Sequence, residues 1–170
     1  RVGCSFMGMM QSSCWPGPKE SLTGAIPSDN SVALLNFLRL ARLTGDTEWE
    51  LKAQAIMALF ADAVAAAPTA CSFFLSAALF ALHKSREVVI VGKAGDEQVK
   101  EMLDYLGKTF FPDTVVIYKE ETDHELKRLV PFTEGMSMQN GKATAYVCEG
   151  FACQQPVTNT DSLRMIMQSF

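Results

Sequence analysis

The sequence lacks both an apolar run long enough to cross a membrane and an excess of positive charge. A membrane-spanning helix needs about 20 consecutive apolar residues, whereas the longest candidate, Ala53 to Ala67, is interrupted by Gln54 and Asp62. The 170 residues carry a net charge of −4 at pH 7, so no basic surface is indicated. The sequence therefore predicts neither a nucleic-acid partner nor a membrane partner.

Motifs that mark common enzymes and metal sites are also missing. The sequence contains neither the Gly-x-Ser-x-Gly pattern of a nucleophilic serine nor the His-Glu-x-x-His pattern of a zinc protease. Its five cysteines are an odd, scattered number, and only His83 and His124 could add imidazole ligands. The first residues show no signal-peptide cleavage pattern. We therefore expect reduced thiols in a cytoplasmic protein, with no metal and no cofactor.

Apolar residues, by contrast, are abundant. Hydrophobic residues make up 48% of the chain, charged residues only 20%, and the mean hydropathy is +0.10. This composition is more hydrophobic than expected for a free-standing soluble domain, and a partner that covers the excess apolar surface would explain it. The expected partner is the upstream part of the same polypeptide, and a homo-oligomer is the alternative.

Helical periodicity dominates the first half of the chain. N-cap candidates beginning at Ser28 precede an amphipathic helix over residues 32–43. A Thr-x-x-Glu capping box at Thr47 begins a second, alanine-rich helix that runs to Pro68. A third helix, over residues 71–83, is apolar nearly all round, so it must be buried. The short loops between these segments predict antiparallel helical hairpins.

The periodicity changes at Glu87 to that of an α/β unit. Strands are predicted at residues 88–91, 115–118 and 143–147, and the first is a β-branched run typical of a strand covered on both faces. Each connection between them is long enough to hold a helix. We therefore expect right-handed crossovers and a mainly parallel sheet.

Four short segments carry a family resemblance. They are Gly24–Ser31, Leu40–Asp46, Val88–Gly92 and Ala145–Val157, and the Tyr-Val-Cys-x4-Cys-x-x-Pro pattern in the last is the most specific. Residues 24–170 resemble the large thioredoxin-domain-containing, spermatogenesis-associated protein 20-like family. The resemblance implies an upstream thioredoxin-like domain and an α/α toroid similar to glycosidases and N-acylglucosamine 2-epimerases, with this chain as the C-terminal portion.

The pattern and the resemblance together predict an α/β chain of two segments. Residues 1–85 are expected to be antiparallel helical hairpins, and the resemblance implies that they form part of the α/α toroid. Residues 86–170 are expected to be a small three-stranded, mainly parallel βαβ-type unit. Because three strands are few for a sheet covered on both faces, we expect this unit to pack against the helical hairpins and not to fold independently.

The toroid resemblance implies one candidate ligand pocket. In such toroids the pocket is lined by loops that enter the inner helices, and Ser28, Asp29 and Asn30 enter the first predicted helix. The same side chains would also cap that helix, which is the simpler interpretation.

A second candidate ligand site, Gly92 and Lys93, follows the first predicted strand and opens a helix. Phosphates bind at helix N-termini in this position. However, Ala94 and Glu97 occupy two glycine positions of the Gly-x-Gly-x-x-Gly fingerprint, and acidic residues would repel an anion there. A plain turn between strand and helix is the simpler interpretation.

Cys148 and Cys153 form the last candidate site. They follow one another in a single short loop, which suggests a redox pair. Their spacing, however, differs from the Cys-x-x-Cys of disulfide oxidoreductases. As structural thiols, which is the interpretation we favour from the sequence, they should be buried and not bonded to each other.

From these observations we do not expect this chain alone to be an enzyme. The leading hypothesis is a non-catalytic C-terminal accessory portion of a larger thioredoxin-domain and toroid protein. One alternative is a fragment of a sugar-acting, glycosidase- or epimerase-like enzyme that contributes pocket residues. Another alternative is a thiol redox module.

Overall fold

The computed structural model of the chain describes residues 26–168, which form a layer of helices beside a β-sheet. In chain order the elements are α1 (Asp29–Thr44), α2 (Thr47–Ala66), α3 (Ser72–Leu82), β1 (Arg86–Val91), α4 (Glu97–Lys108), β2 (Thr114–Lys119), α5 (His124–Leu129), β3 (Thr144–Glu149), β4 (Ala152–Cys153) and α6 (Thr160–Gln168), with 3-10 turns at Pro68–Cys71 and Pro131–Thr133. The part of the predicted helical segment 1–85 that precedes residue 26 lies outside the described residues. No described helix combines the length and the hydropathy that a membrane span requires.

The connection between α1 and α2 is fixed by polar caps and one glycine. Ser28 is the N-cap of α1, and its hydroxyl accepts the Ser31 backbone N–H at 3.3 Å. Gly45 ends α1 in the left-handed conformation, with φ 73°, which glycine adopts without a Cβ clash. Asp46, and not the predicted Thr47, caps α2. This two-residue connection places α2 directly beside α1.

The three N-terminal helices share one core. Helix α1 packs against both α2 and α3, and the buried side chains between them include Leu34, Phe60, Phe74 and Phe80. The rings of Phe60 and Phe74 meet edge to face with centroids 6.1 Å apart, a favourable aromatic geometry. The helical segment is thus present, while the toroid stays a prediction.

Helices α2 and α3 of this layer each leave apolar side chains exposed. Leu51 and Leu59 of α2 are 61% and 59% exposed, and Leu79 and Leu82 of α3 are 54% and 79% exposed. We call these four side chains the bare leucines. The prediction that α3 must be buried on all sides is therefore wrong for the described part of the chain, where α3 buries only one face.

The sheet is mixed, with the strand order β2-β1-β3-β4 among the described residues. Strands β1 and β2 are parallel, with Arg86 opposite Thr114. Strand β3 is antiparallel to β1, and β4 is antiparallel to β3. The prediction of three mainly parallel strands is therefore wrong in the number of strands and in the direction of the third.

The lengths of the connecting helices explain the strand directions. Helix α4 has 12 residues and spans about 18 Å, close to the roughly 20 Å of a six-residue strand, so it returns the chain to the start of β2. Helix α5 has six residues and spans only about 9 Å. The chain therefore stays at the edge where β1 ends, and β3 begins there with Thr144 opposite Val91.

Both faces of the sheet are covered, and every residue of β1 is buried, as the sequence predicted for this strand. One face packs against α4 and α6, and the other packs against α5 and the 3-10 turn after it. Because side chains alternate along a strand, Glu87 shares the second face with Val89 and with Cys148 of β3. Leu43 of α1 packs against both this core and the helical core. The division into two domains at residue 85 stays a prediction.

Candidate thiol–disulfide site

Strands β3 and β4 form a hairpin whose loop consists of Gly150 and Phe151. Both residues have positive φ, 56° and 65°, as in the type I′ turns that match the twist of paired strands. Glycine adopts this conformation freely, whereas for phenylalanine it costs about 1–2 kcal/mol. The two-residue loop sets the register of the hairpin and places Cys148 directly opposite Cys153.

Cys148 and Cys153 are joined by a disulfide. For this pair the predictions of reduced and unbonded thiols are therefore wrong, because the hairpin makes the two cysteines direct cross-strand neighbours. The two ends of the bond differ in exposure. Cys148 is 1% exposed in the core, whereas Cys153 lies exposed on β4. Cys71 is a free cysteine of the described region, and it is buried.

A buried carboxyl group, that of Glu87, lies beside the buried end of the disulfide. Glu87 is directly opposite Cys148 in the β1–β3 register, and the Cβ atoms of such pairs lie roughly 5 Å apart on one face. Its side chain is fully buried. Oε2 accepts the backbone N–H of Phe151 at 3.1 Å, while Oε1 has no hydrogen-bond partner among the described residues. Glu87 therefore links the central strand to the hairpin loop.

Burial raises the pKa of the Glu87 carboxyl above its ordinary value, because the charged form loses its hydration. The Phe151 N–H and the positive charge of Arg42 act in the opposite direction, and the negative charge of Glu149 adds to the rise. Glu149 also forms an ion pair with Lys84 at 2.8 Å. Desolvation is the largest of these effects.

Phe151 and the end of α1 cover the site. The Phe151 ring meets the Phe132 ring edge to face, with centroids 5.0 Å apart. A Cβ placed on Gly45 would lie 3.9 Å from Phe151 Cζ, so the end of α1 reaches the hairpin loop. Since Leu43 also packs into the same core as Cys148, the buried end of the disulfide lies between α1, the second 3-10 turn and the hairpin.

The predicted pocket residues at the start of α1 lie at the helix terminus. Ser28 is the N-cap, with its hydroxyl 2.6 Å from that of Ser31, and Asp29 is exposed in the first turn, where a negative charge stabilises the helix. Asn30 is half-buried and makes an interaction of its own. A cleft of about 220 Å³ is lined instead by the second half of α1 and by parts of α2 and α3. A ligand role for these residues stays a prediction.

Gly92 and Lys93 lie in the turn between β1 and α4, where they were predicted. A Cβ on Gly92 would come within 2.3 Å of Val99 Cγ2, so this glycine allows α4 to pack closely on the sheet. Asp96 caps α4 and accepts the Gln98 backbone N–H at 2.9 Å, which puts a carboxylate where a phosphate would bind. The geometry favours a structural turn, and anion binding stays a prediction.

Sequence reasoning missed Glu87 and used it only to mark the change of periodicity. The signal was present, since a charged residue directly precedes the four β-branched residues of a fully buried strand. Within residues 26–168, no three His, Cys, Asp or Glu side chains converge as a metal site would require. Of the candidate sites predicted from the sequence, the cysteine pair is the one that lies beside a buried ionisable group, the carboxyl of Glu87.

Comparison with curated proteins finds similar sequences that are much longer. Spermatogenesis-associated protein 20 of Homo sapiens is 29% identical over 150 residues, which cover 88% of this chain and 19% of that protein. The Rattus norvegicus protein of the same name gives the same values. An uncharacterised Caenorhabditis elegans protein is 26% identical over 155 residues, or 89% of this chain and 20% of its own length. The chain thus spans about one fifth of the length of these relatives.

No family model matches the chain, and no solved structure matches it significantly. The matching part of the spermatogenesis-associated protein 20 relatives is their C-terminal portion. The family resemblance seen in the four sequence segments is confirmed, and the chain is homologous to the C-terminal portion of spermatogenesis-associated protein 20.

Proposed function

We propose that this chain is a non-catalytic accessory portion of a larger protein and packs through its helical layer against the upstream part of the same polypeptide. The bare leucines carry this proposal, since all four are more than half exposed. Burying a leucine side chain is favourable by about 1.5–3 kcal/mol relative to leaving it in water. Binding of a partner that buries these leucines is therefore favourable.

The length of the relatives supports the choice of partner. Because the chain spans only about one fifth of each relative, a full-length protein has ample further sequence to cover α2 and α3. The resemblance implies that this sequence contains a thioredoxin-like domain and an α/α toroid. In this proposal the helical hairpins complete the toroid, the sheet caps it, and the protein is cytoplasmic.

Hydrogen exchange tests the accessory role. Amide exchange is compared between the isolated chain and the longer natural polypeptide. We expect slower exchange of residues 47–82 in the longer polypeptide, because packing there suppresses local opening. The amides of β1 serve as an internal control, since this strand is already buried on both faces. Equal exchange of α2 and α3 in the two samples contradicts the proposal.

Self-association of the chain through the bare leucines is the alternative. If a second copy covers them, the isolated chain sediments as a dimer, and the Leu79→Lys and Leu82→Lys variants sediment as monomers. Leu129→Lys is the matched control, because Leu129 is 58% exposed on α5, outside the helical layer. A wild-type dimer that survives both variants shows that another surface mediates association.

A thiol redox module is the second candidate, and the Cys148–Cys153 disulfide favours it. Disulfides of cytosolic proteins are usually transient and catalytic or redox-sensing. For a protein in the proposed cytoplasmic location, this bond is therefore expected to be opened and closed by thiol exchange. No such observation favours the sugar-acting alternative.

A further inference from the structure

We propose that an external thiol opens the disulfide by attacking Cys153, and that the Glu87 carboxyl protonates the departing sulfur of Cys148. This inference rests on the thiol redox candidate above. It adds the direction of attack, the proton donor and the class of the reductant. The reductant is a small thiol such as glutathione or a protein dithiol.

Exposure decides which sulfur an incoming thiolate reaches. Thiol–disulfide exchange proceeds by attack of a thiolate on one sulfur, so access selects the site. Cys153 lies on the two-residue edge strand β4, both of whose residues are exposed. Cys148 is 1% exposed and packs with Val89 and Tyr146 in the core under α5. Attack therefore falls on Cys153, and Cys148 is the leaving group.

Burial makes Cys148 a poor leaving group unless it receives a proton. Apolar surroundings raise the pKa of a thiol, and a thiolate of high pKa departs slowly. An acid next to Cys148 removes this difficulty. Glu87 is the residue directly opposite Cys148 on the neighbouring strand.

The surroundings of Glu87 fit a proton donor. Its Oε1 has no partner in the described part of the chain, so a proton on that oxygen is free to be donated. The charges that act on it are those of Arg42, from α1, and Glu149, from β3. The Phe151 N–H on Oε2 and the positive charge of Arg42 stabilise the carboxylate once the proton has left.

The reaction balances in two steps. In the first step, the external thiolate forms a bond to the Cys153 sulfur and the Cys153–Cys148 bond breaks. The electron pair goes to the Cys148 sulfur, which takes the proton of Glu87. In the second step, a second thiolate attacks the external sulfur of the mixed disulfide and releases Cys153 as a thiolate, which solvent protonates. The protein disulfide gains two electrons, and two external thiols are oxidised to one disulfide.

The pH dependence of reduction is the decisive measurement. The purified protein is reduced with glutathione, quenched with a maleimide at set times, and the labelled cysteines are counted by mass spectrometry. Dividing each rate constant by the thiolate fraction of glutathione leaves the contribution of the protein. In the wild type this corrected constant should fall as the pH rises through the elevated pKa of Glu87, because the acid form is lost.

Glu87→Gln removes the proton donor while keeping the shape of the side chain. We expect a corrected constant that no longer depends on pH and is lower by about 100-fold, at the low end of the range for general acid catalysis. Glu101→Gln is the matched control, because Glu101 is exposed on α4, which covers the other face of the sheet, and its charge is not among those that act on Glu87. The control should keep the wild-type profile. A flat wild-type profile, or equal rates in Glu87→Gln and the wild type, overturns the role of Glu87.

A second measurement locates the attack and needs no variant. With a single turnover of glutathione, the mixed disulfide should be found on Cys153, and an adduct on Cys148 would overturn the proposed direction. Failure of the redox candidate itself looks different. In that case neither millimolar glutathione nor a dithiol reduces the native pair at any pH, and no adduct forms on either cysteine.

Discussion

Replacing Gly92 by alanine tests how tightly α4 is packed on the sheet. The added Cβ would lie 2.3 Å from Val99 Cγ2 and 3.5 Å from Ala143 Cβ, so the valine would have to move. Val99 is 5% exposed and belongs to the core between α4 and β1. Its β-branched side chain has one strongly preferred rotamer in a helix, so it has little freedom to turn away. We therefore expect the free energy of unfolding to fall by about 1–3 kcal/mol, the usual cost of overpacking.

A double-mutant cycle separates this steric conflict from other effects. Val99→Ala alone removes two buried methyl groups and should cost about 2 kcal/mol. In the double variant, Gly92→Ala with Val99→Ala, the new methyl group at residue 92 enters the space left by Cγ2. The loss should then be smaller than the sum of the two single losses by about 1 kcal/mol or more, since residues in contact are not additive.

Urea unfolding with the disulfide intact provides the assay. For a chain of this size each kcal/mol corresponds to about 2–4 °C in Tm, so heating gives an independent reading. Gly107→Ala is the matched control, in the helix that packs on Gly92: no atom lies within 4 Å of its added Cβ, and alanine near the end of α4 should stabilise the helix by up to about 1 kcal/mol. Strictly additive losses in the cycle, or a Gly92→Ala variant as stable as the wild type, would refute the close approach of α4.

Two further predictions concern buried charges. Burial raises the pKa of the Glu87 carboxyl, so the stabilising effect of this group is complete below the unfolded pKa and is lost as the pH rises through the folded pKa. The unfolding free energy of Glu87→Gln minus that of the wild type should therefore grow with pH between 4 and 8 in urea titrations. A constant difference would contradict this. Arg86 is 7% exposed and donates two bonds to Asp113, at 2.9 and 3.2 Å. Asp113→Asn should lower the unfolding free energy by about 1–3 kcal/mol, because the buried guanidinium of Arg86 loses its counter-charge, and an unchanged urea midpoint would show that solvent already satisfies it.

Sequence patterns predicted the elements better than the way they are joined. The three predicted strands were placed to within about two residues because β-branched runs report local burial directly, whereas β4 was not predicted. The parallel pairing of β1 and β2 also followed from the helix between them. The direction of β3 did not, because the segment between Lys119 and Thr144 was taken as long enough to hold a crossover helix. Its α-helix, α5, has only six residues and ends before Pro131, which is too short to cross the sheet, and this limit, although visible in the sequence, was not applied.

The cysteine pair shows how a spacing can be misjudged. The four residues between Cys148 and Cys153 were compared with Cys-x-x-Cys, which belongs to a helix N-terminus. In a hairpin with a two-residue loop, residues 150 and 151 form the turn, so residues 148 and 153 face each other. A glycine in the middle of Cys-x4-Cys after a strand was therefore the relevant signal. The positive φ of Phe151 follows from the two-residue turn, and its N–H bond to Glu87 and its contact with Phe132 are further contacts of that loop.

The accessory and redox proposals meet at one residue, Arg42. This residue lines the cleft of the helical layer together with Leu82, one of the bare leucines, and its charge also acts on Glu87. A partner that fills the cleft would lower the local dielectric, and the attraction between Arg42 and the Glu87 carboxylate would then increase. The pH profile of reduction should for this reason be measured in the isolated chain and in the longer polypeptide. A profile shifted to lower pH in the longer polypeptide would show that covering the helical layer affects the redox site. Identical profiles would show that the redox site works independently of the partner that covers the bare leucines.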